Sequence, residues 1–512
     1  MKKTKVKYLM LCLLAGNIAF SCSQKKKKEQ ETTIPAKYKM TTEIPASITT
    51  PDVVETSLGT LRFFDGFPDS NTVQKVYDNL DFQRGVQAFL RAMPAALFYS
   101  VRSGIRTFGP DNQTMLITES LLDSRTLIMV ANTETVYNMA WLDTKDSPIV
   151  IDLPPQTLGF ILDIWGRCVS DMGNAGPDRG KGGKYLLLPP DYFDNLPEGY
   201  IPLNSKTYGN LIFIRGFVVN GDTHPAVENT KKHFRIYPLN MASYPPAMNF
   251  VNASGKSYNT QMNNDFTFFN QIAEVVHEEP LEAIDPETRG LLAAIGIRKD
   301  KPFEPDARMT QILTDAASVG NATARVIVFD TRDQNNYPYP GSMWKAGFAG
   351  NDPEMSPGGV LDVDSRIIYY YNAWGVTPAM SLKMIGKGSQ YAYTEHDADG
   401  NYLDGGKTYT LHLPPNIPAK DFWSVIVYDP QTRSMLQTDQ QFPSAGNQRK
   451  GILVNQDGSV DVYFGPAPPP GKESNWIQTI PGKGWYTMLR LYGPLESWFD
   501  KTWKPGEIEL VN

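Results

Sequence analysis

Three short runs near the end of the chain decide the fold class: FWSVIVYDP (residues 422–430), DVYFGP (461–466) and WYTMLRLYGP (485–494). Each run is rich in aromatic and β-branched residues, and clusters of Gly, Pro, Asn and Asp separate the runs. Strands of an antiparallel sheet typically show this alternation of short apolar runs and turn residues. The segment 421–504 therefore predicts a compact β domain at the end of the chain.

The same strand pattern occurs earlier, and helical patterns lie on both sides of it. Strand-like runs fill residues 116–155 and recur in KYLLLPP (184–190) and NLIFIRGFVV (210–219), which predicts a β-sandwich. Apolar residues at three- and four-residue spacings predict a helix over 70–106, which Pro94 should kink or end. Further predictions are short helices at 228–237 and over 259–324, and an aromatic strand at RIIYYYNA (366–373).

Size and charge limit the possible classes of protein. A chain of 512 residues is too long for one hydrophobic core, so roughly two to four domains are expected. The net charge of −6, the pI near 5.6 and the absence of a basic face argue against nucleic acid as a partner.

The first residues predict a cell-envelope address. A basic start and an apolar run over 8–20 that is too short to span a bilayer precede Ala19-Phe20-Ser21-Cys22, which reads as a lipobox with Cys22 as the lipidated residue. The alternative is an ordinary cleaved signal peptide. Ser23, where Asp would indicate another address, favours the outer membrane, with the polar segment 23–50 as a disordered tether. Cys168 is then alone in the mature chain, so no internal disulfide is possible, and we expect a buried small side chain there.

Longer motifs resemble a known pair of domains. Residues 422–448, 455–466, 473–494 and 498–509 are similar to the C-terminal domain of the bacterial DUF1254/DUF1214 family, two paired domains of unknown function. ANTETVYNMAWLD (131–143) and DMGNAGPDRGKGGKYLLLPPDY (171–192) resemble its first domain, and IGIRKDKPFEPD (295–306) resembles the segment between the two. The signal peptide and tether are a departure, because other members can be soluble or simply secreted.

The resemblance implies a mixed β and α, multi-domain fold: an immunoglobulin-like β-sandwich, a small helical module and a C-terminal jelly-roll-like β-sandwich. With the segmentation above, this predicts a signal peptide (1–22), a tether (23–50), an N-terminal domain with a helical start (51–250), a helical module (251–330) and a C-terminal domain (331–512). Since the family has no established activity, no catalytic residue can be transferred from it.

Local motifs do not identify a reaction. The glycine loop GPDRGKGGKY (176–185) lacks the spacing of a P-loop, so it is either a structural turn or a loop that binds an anion through backbone N–H groups. The turns at Asp399-Gly400 and at 455–458 fit hairpins better than calcium loops, although adventitious Ca²⁺ binding stays open. Neither a G-x-S-x-G nor an H-E-x-x-H motif occurs, and no cofactor or metal site is indicated.

Clusters of rings with amide or guanidinium groups are the better candidates, because they suit sugars and other amphipathic ligands. We expect Trp485 and Tyr492 to lie in the core, and Asn475 and Trp476 to lie in an accessible loop. The predicted ligand site is a cleft between the two sandwiches, lined by both sets of polar residues and the glycine loop: Asn132, Thr133, Thr135, Tyr137, Asp178, Lys181, Tyr370, Asn475, Trp476 and Arg490.

The resulting interpretation is a lipid-anchored outer-membrane protein that binds a small or oligomeric, carbohydrate-like ligand between its domains. Two alternatives remain open. One is an envelope hydrolase acting on sugars or esters, and the other is a structural envelope scaffold without a ligand.

Overall fold

The computed structural model describes residues 38–348 and 352–511. The predicted signal peptide, Cys22 and the first part of the tether lie outside the described residues. The chain forms two compact units, of which the first ends at Val73 and the second begins at Gln74.

The first unit contains a small antiparallel meander. A single 3₁₀ turn, Ala46–Ile48, precedes it, and its strands are β1 (Val53–Thr56), β2 (Gly59–Phe64) and β3 (Phe67–Pro68). A tight turn at Asp65-Gly66 joins β2 to β3, and both of its residues have positive φ. Most side chains of this unit are exposed, and the sequence patterns had not indicated these strands.

The second unit begins with a β-sandwich. Its strands are β4 (Thr114–Ile117), β5 (Thr135–Asp143), β6 (Ile149–Leu153), β7 (Thr157–Asp163), β8 (Cys168–Gly173), β9 (Gly183–Leu188), β10 (Ile201–Asn204), β11 (Gly209–Phe217), β12 (Arg235–Pro238) and β13 (Asn249–Asn252). One sheet has the order β13-β4-β5-β11-β7-β8, and the other has the order β10-β9-β6-β12. Apolar side chains of both sheets, such as Ile151, Leu187 and Ile212, pack into one core between them.

A second sandwich follows in the same unit. Its strands are β14 (Lys345–Ala346), β15 (Ser389–Thr394), β16 (Tyr409–Leu413), β17 (Ala419–Tyr428), β18 (Ser444–Gly446), β19 (Val460–Gly465), β20 (Trp476–Gln478), β21 (Tyr486–Pro494) and β22 (Ile508–Leu510). The sheet orders are β14-β15-β21-β17-β18 and β20-β19-β16-β22. Leu411, Val425 and Leu489 are fully buried members of the core that these sheets share.

Helices fill the remainder. They are α1 (Ser70–Arg106), α2 (His224–His233), α3 (Thr267–Glu278), α4 (Pro286–Ala294), α5 (Ala307–Phe329), α6 (Val363–Asn372), α7 (Pro378–Ser381) and α8 (Glu496–Phe499). The starts of α5 and α6 are capped by aspartates. Asp306 accepts a hydrogen bond from the N–H of Met309, and Asp362 accepts one from the N–H of Ser365, which satisfies donors that the helix itself leaves free.

A third core, the central core, joins the helices to one face of each sandwich. Phe89 of α1 and Phe268 of α3 stack in it with ring centroids 4.2 Å apart. Tyr137, Met139 and Trp141 of β5 face this core, while Val136, Ala140 and Leu142 of the same strand face the core inside the first sandwich. The large sheet of each sandwich is thus buried on both faces.

The predicted fold class is confirmed as a mixed β and α, multi-domain fold with two β-sandwiches and helices between them in the chain. The predicted domain boundaries at 250 and 330 stay predictions. Among the described residues, no helix combines the length and apolarity needed to cross a membrane.

Three predicted elements need correction. RIIYYYNA was predicted to be a strand, but its residues 366–372 belong to helix α6. The tyrosine rings of this helix are buried in the central core. Pro94 does not end the first helix, which continues to Arg106. The helix predicted at 228–237 begins earlier, at His224, and gives way to strand β12.

Other local predictions are confirmed. The turn at 455–458 is closed by a hydrogen bond from Gly458 N–H to the Asn455 carbonyl, and it leads into β19 with Val460 and Val462 buried. The turn at Asp399-Gly400 lies between the bridged residues His396 and Tyr402. Trp485 and Tyr492 are both buried.

Candidate functional site

A small space lined by aromatic rings and arginines lies where the central core meets both sandwiches. We call it the tyrosine–arginine cavity. Its volume is about 70 Å³. The first sandwich contributes Tyr137, Phe160, Phe213 and Arg215; the second contributes Tyr391, Met488 and Arg490; and α6 with the loop after it contributes Tyr369, Trp374 and Thr377.

Because side chains alternate between the two faces of a strand, Arg215 of β11 and Arg490 of β21 both point to this space. In β11, Ile212 and Ile214 point into the first sandwich, so Phe213 and Arg215 point to the central core. In β21, Leu489 and Leu491 point into the second sandwich, so Arg490 points to the opposite face. The two arginines therefore approach one cavity from different domains.

Arg490 is held by neutral oxygens. Its side chain donates to the Val130 carbonyl (2.6 Å), the Tyr492 hydroxyl (3.1 Å) and the Tyr428 hydroxyl (3.2 Å). The guanidinium carbon also lies 4.6 Å from the centre of the Tyr391 ring, a distance typical of a cation–π contact. The residue is only 3% exposed, and its Nε has no hydrogen-bond partner.

Arg215 is held by aromatic rings alone. Its guanidinium carbon lies 4.8 Å from the ring centre of Phe213, 5.8 Å from that of Phe160 and 5.9 Å from that of Tyr137. The residue is 6% exposed, and its buried Nε has no hydrogen-bond partner. Among the described residues, neither Arg215 nor Arg490 forms an ion pair with a carboxylate.

The two cations act on the phenol between them. Burial raises the pKa of Tyr391, but the neighbouring Arg490 and Arg215 guanidiniums outweigh burial and hold the pKa below its usual value. The Tyr391 hydroxyl also lies 2.5 Å from the hydroxyl of Ser389. The cavity is consequently a site of positive potential walled by rings.

Four of the residues predicted for the site lie in or against this cavity. Tyr137 and Arg490 line it. Asn132 lies behind them, where its N–H donates to the Tyr137 hydroxyl (2.8 Å) and its amide donates to the Tyr492 hydroxyl (2.5 Å). Thr135 in turn donates to the Asn132 side chain (3.0 Å). Asn132 and Thr135 are fully buried, so the structure gives them a supporting position rather than a place in the cavity wall.

Thr133 lies in a different place, a surface hollow that Glu134, Ser444 and Arg449 also line. The hydroxyls of Thr133 and Ser444 are 2.8 Å apart, and the Glu134 carboxylate accepts hydrogen bonds from Thr133 and from Ser424. Burial raises the pKa of Glu134. This network joins the two sandwiches without reaching the cavity wall.

The glycine loop does not reach the cavity, which corrects the predicted lining. Asp178 is buried and accepts hydrogen bonds from the N–H groups of Gly173 (2.8 Å) and Gly182 (3.1 Å) and from the Tyr185 hydroxyl (2.5 Å). Lys181 is exposed. The carboxylate therefore fixes the loop from inside, as expected for the structural turn that the sequence had left open.

Tyr370, Asn475 and Trp476 also lie apart from the cavity. The Tyr370 hydroxyl donates to the Gly166 carbonyl (2.8 Å). Asn475 was expected in an accessible loop, but it is 2% exposed, since its side chain bonds to Leu453 and to the Asp461 carbonyl. The indole N–H of the partly buried Trp476 donates to the Gly465 carbonyl (2.9 Å). Tyr370 thus ties α6 to a loop of the first sandwich, whereas Asn475 and Trp476 close loops of the second.

The sequence analysis missed Arg215 and Tyr391. Arg215 is the only charge in the run NLIFIRGFVV, and a lone arginine inside a buried strand was a usable signal that a cation enters an apolar layer. Tyr391 carried no such signal, because an aromatic residue in a strand is ordinary. Cys168, expected to be buried, is partly buried, and burial raises the pKa of its thiol. Among the described residues, no cluster of His, Cys, Asp or Glu could hold a metal ion.

Comparisons with known proteins agree with this two-part architecture. Residues 112–238 match the model of the DUF1254 family, and residues 388–496 match that of the DUF1214 family, each described as a protein of unknown function. The chain is therefore a DUF1254/DUF1214 domain-containing protein. A search of curated proteins found no match.

Two solved structures are similar to the chain. The VPA0106 protein from Vibrio parahaemolyticus has a TM-score of 0.52 and 17% identity, over 84% of this chain and 100% of that one. A putative uncharacterized protein from Burkholderia cenocepacia has a TM-score of 0.38 and 11% identity, over 86% of this chain and 97% of that one. The likeness to the Vibrio protein shows a shared fold.

Proposed function

We propose that this protein binds a small molecule in the tyrosine–arginine cavity. The observation that carries the proposal is a small, partly open space whose walls combine aromatic rings with buried donors that have no partner. Ligand sites typically consist of apolar walls with a few fixed polar groups. Since a buried donor without a partner costs about 1–3 kcal/mol, a ligand that accepts from these donors gains that energy on binding.

The cavity supports binding better than hydrolysis. Glycoside hydrolysis requires two carboxylates on either side of the scissile bond. Among the described residues, no Asp, Glu or His lines the tyrosine–arginine cavity. Rings and donors also suit sugars, but the cavity of about 70 Å³ admits only a carbohydrate fragment of a few heavy atoms in this conformation. A purely structural role is the remaining alternative.

A thermal-shift screen of residues 51–512 against glycans, lipids, nucleotides, small organic acids and divalent cations tests the proposal. A ligand at 100 times its dissociation constant stabilises the folded state by about 2.7 kcal/mol. We expect at least one class to raise the melting temperature. If no compound raises the melting temperature, the result would favour the structural role.

Two tryptophan variants locate any ligand found. Trp374 lines the cavity, and its buried indole N–H has no partner, so Trp374→Phe should weaken binding about tenfold. Trp476→Phe is the matched control, because that indole lies outside the cavity and bonds to Gly465. A ligand that is lost from Trp476→Phe but retained by Trp374→Phe would contradict the proposed site.

The proposed location is the outer membrane, with a lipid anchor on Cys22. Support comes from the lipobox and the polar tether alone, and several acyl chains would contribute about 0.8 kcal/mol per buried CH₂. Cys22→Ala should abolish incorporation of a labelled fatty acid, whereas unchanged labelling would contradict the anchor.

A further inference from the structure

The charges around the tyrosine–arginine cavity do not balance locally. Burying a cation is costly unless a partner of opposite charge compensates it. Arg215 contacts only rings, and Arg490 donates only to neutral acceptors, three oxygens and the Met488 sulfur. The two guanidiniums also repel each other, since each lies within the field of the other. Among the described residues, two buried positive charges thus face one cavity without an ion pair to compensate either of them.

Two buried carboxylates act on these cations, but neither forms an ion pair with them. Asp171 affects Arg215 electrostatically; its Oδ2 accepts from the N–H of Ala379 (2.9 Å), and its Oδ1 has no hydrogen-bond partner. Glu134 affects Arg490 in the same way, but it accepts from Thr133 and Ser424. Burial raises the pKa of both carboxyl groups, which weakens them as counter-charges. They therefore leave room for an anion that comes from outside the chain.

The remaining wall groups also prefer an acceptor. The indole N–H of Trp374 is buried and has no hydrogen-bond partner, and the buried hydroxyl of Thr377 lies next to Asp171. Phe160, Phe213 and Met488 supply apolar surface beside these donors. A molecule that matches this wall has a negatively charged acceptor group at one end and a small apolar body at the other.

The size of the cavity limits that body. A single water needs about 10–15 Å³ on this scale, and a cavity of about 150 Å³ holds benzene. With about 70 Å³, the tyrosine–arginine cavity has room for only a few heavy atoms. Fatty acids, nucleotides and oligosaccharides are too large for it in this conformation.

We infer that the ligand is a short-chain organic monocarboxylate. Its carboxylate accepts from Arg215, with Arg490 on the opposite wall, and its carbon chain packs against Phe160 and Phe213. This inference rests on the proposed function, because it names the ligand class of the same cavity. A guanidinium and a carboxylate form charge-assisted hydrogen bonds, which are about twice as strong as neutral ones.

Isothermal titration with acetate, propionate and butyrate, each beside its uncharged amide and sodium chloride at constant ionic strength, tests the inference. We expect a carboxylate to bind at least tenfold more tightly than its amide. Amides that bind as well as carboxylates would overturn the inference while leaving the proposed function intact. Chloride that competes with equal affinity would overturn it as well, because the cavity would then hold an adventitious ion only.

Arg215→Met separates a ligand role from a structural one. Because the variant removes a buried charge without a partner, the ligand-free protein should melt at the same or a higher temperature. Its carboxylate affinity should nevertheless fall at least tenfold. Arg325→Met is the control, since Arg325 donates to the Pro430 carbonyl (2.7 Å) outside the cavity, and its carboxylate affinity should stay unchanged. Unchanged affinity in Arg215→Met would overturn the inference.

The proposed ligand site and the inferred carboxylate ligand can be disproved separately. If no carboxylate binds but another compound binds in a Trp374-dependent way, the inference is wrong and the cavity is still a ligand site. If no compound of either panel binds, both are wrong.

Discussion

Glu279 shows how a single buried carboxyl group links the helices to the first sandwich. It follows the last residue of α3 and accepts hydrogen bonds from the N–H groups of Tyr208 (2.7 Å) and Gly209 (2.9 Å) at the start of β11. Burial raises its pKa from 4.5 to about 7, and the two N–H groups offset only part of that effect. The group therefore titrates in the physiological range.

This pKa predicts a pH-dependent stability. Between pH 4.5 and 7 the folded state keeps the Glu279 proton while the unfolded state has lost it, so stability should fall as pH rises through this window. The full contribution is present below pH 4.5, and it amounts to about 3 kcal/mol, at 1.36 kcal/mol per pKa unit. Urea unfolding at several pH values measures this slope.

Glu279→Gln provides the comparison for that measurement. The amide cannot ionise, so the variant should lose most of the decline in stability between pH 4.5 and 7. Glu282→Gln is a suitable control, because that residue lies three positions on in the chain and is exposed. A slope that is identical in wild type and Glu279→Gln would show that other groups produce it.

At the same scale, the candidate site was only partly predictable. Tyr137 and Arg490 were found because rings beside donors suggest a ligand site. Asn475 failed the same criterion, since a polar side chain in a Gly- and Pro-flanked loop can serve the loop itself: its three hydrogen bonds all go to backbone groups. Residue type alone does not distinguish a group that binds a ligand from one that closes a turn.

Among the elements, α1 and α5 pack more closely than helices with large side chains can. A Cβ atom on Gly320 of α5 would lie 2.7 Å from the ring of Phe89 in α1. Phe89 is fully buried and stacked on Phe268, so its ring has little room to move away. The glycine is therefore needed for the approach of the two helices.

Two glycine-to-alanine variants should shift stability in opposite directions. Gly320→Ala should destabilise the protein by about 1–3 kcal/mol through overpacking. Gly290 of α4 is exposed and has no atom within 4 Å of an added Cβ, so Gly290→Ala should stabilise by about 0.5–1 kcal/mol through helix propensity. Urea midpoints measure both. Equal effects of the two changes would show that helix propensity, and not packing, decides at Gly320.

Element types were predictable where one face of an element meets water. The helix over 70–106 showed helical spacing and was predicted correctly. RIIYYYNA was assigned to a strand because α6 is buried nearly all round, which removes the polar face that marks a surface helix. The strands β5 and β21 are likewise buried on both faces. Their apolar residues therefore lie on both faces and do not indicate which face lines the cavity.

At the scale of the whole molecule, the central core is the feature that makes the two matched segments depend on each other for burial. The two matched segments, 112–238 and 388–496, each contribute one sheet face to it. For the first segment, that face includes Trp141, Leu162 and Phe213, which are buried only by the helices and the second sandwich around them. No sequence pattern showed this arrangement, because the contacts join residues far apart in the chain.

It follows that neither matched segment should fold as an independent domain. Residues 112–238 alone would expose a contiguous apolar face, and large exposed patches of this kind lead to association. We expect this fragment to aggregate or to bind a hydrophobic dye without a cooperative thermal transition, whereas residues 51–512 should give a cooperative one in calorimetry. The tyrosine–arginine cavity would be incomplete in either fragment, because Arg215 and Arg490 belong to different segments. A monomeric fragment 112–238 with cooperative unfolding would show instead that the first sandwich is stable by itself and that the central core forms in a later docking step.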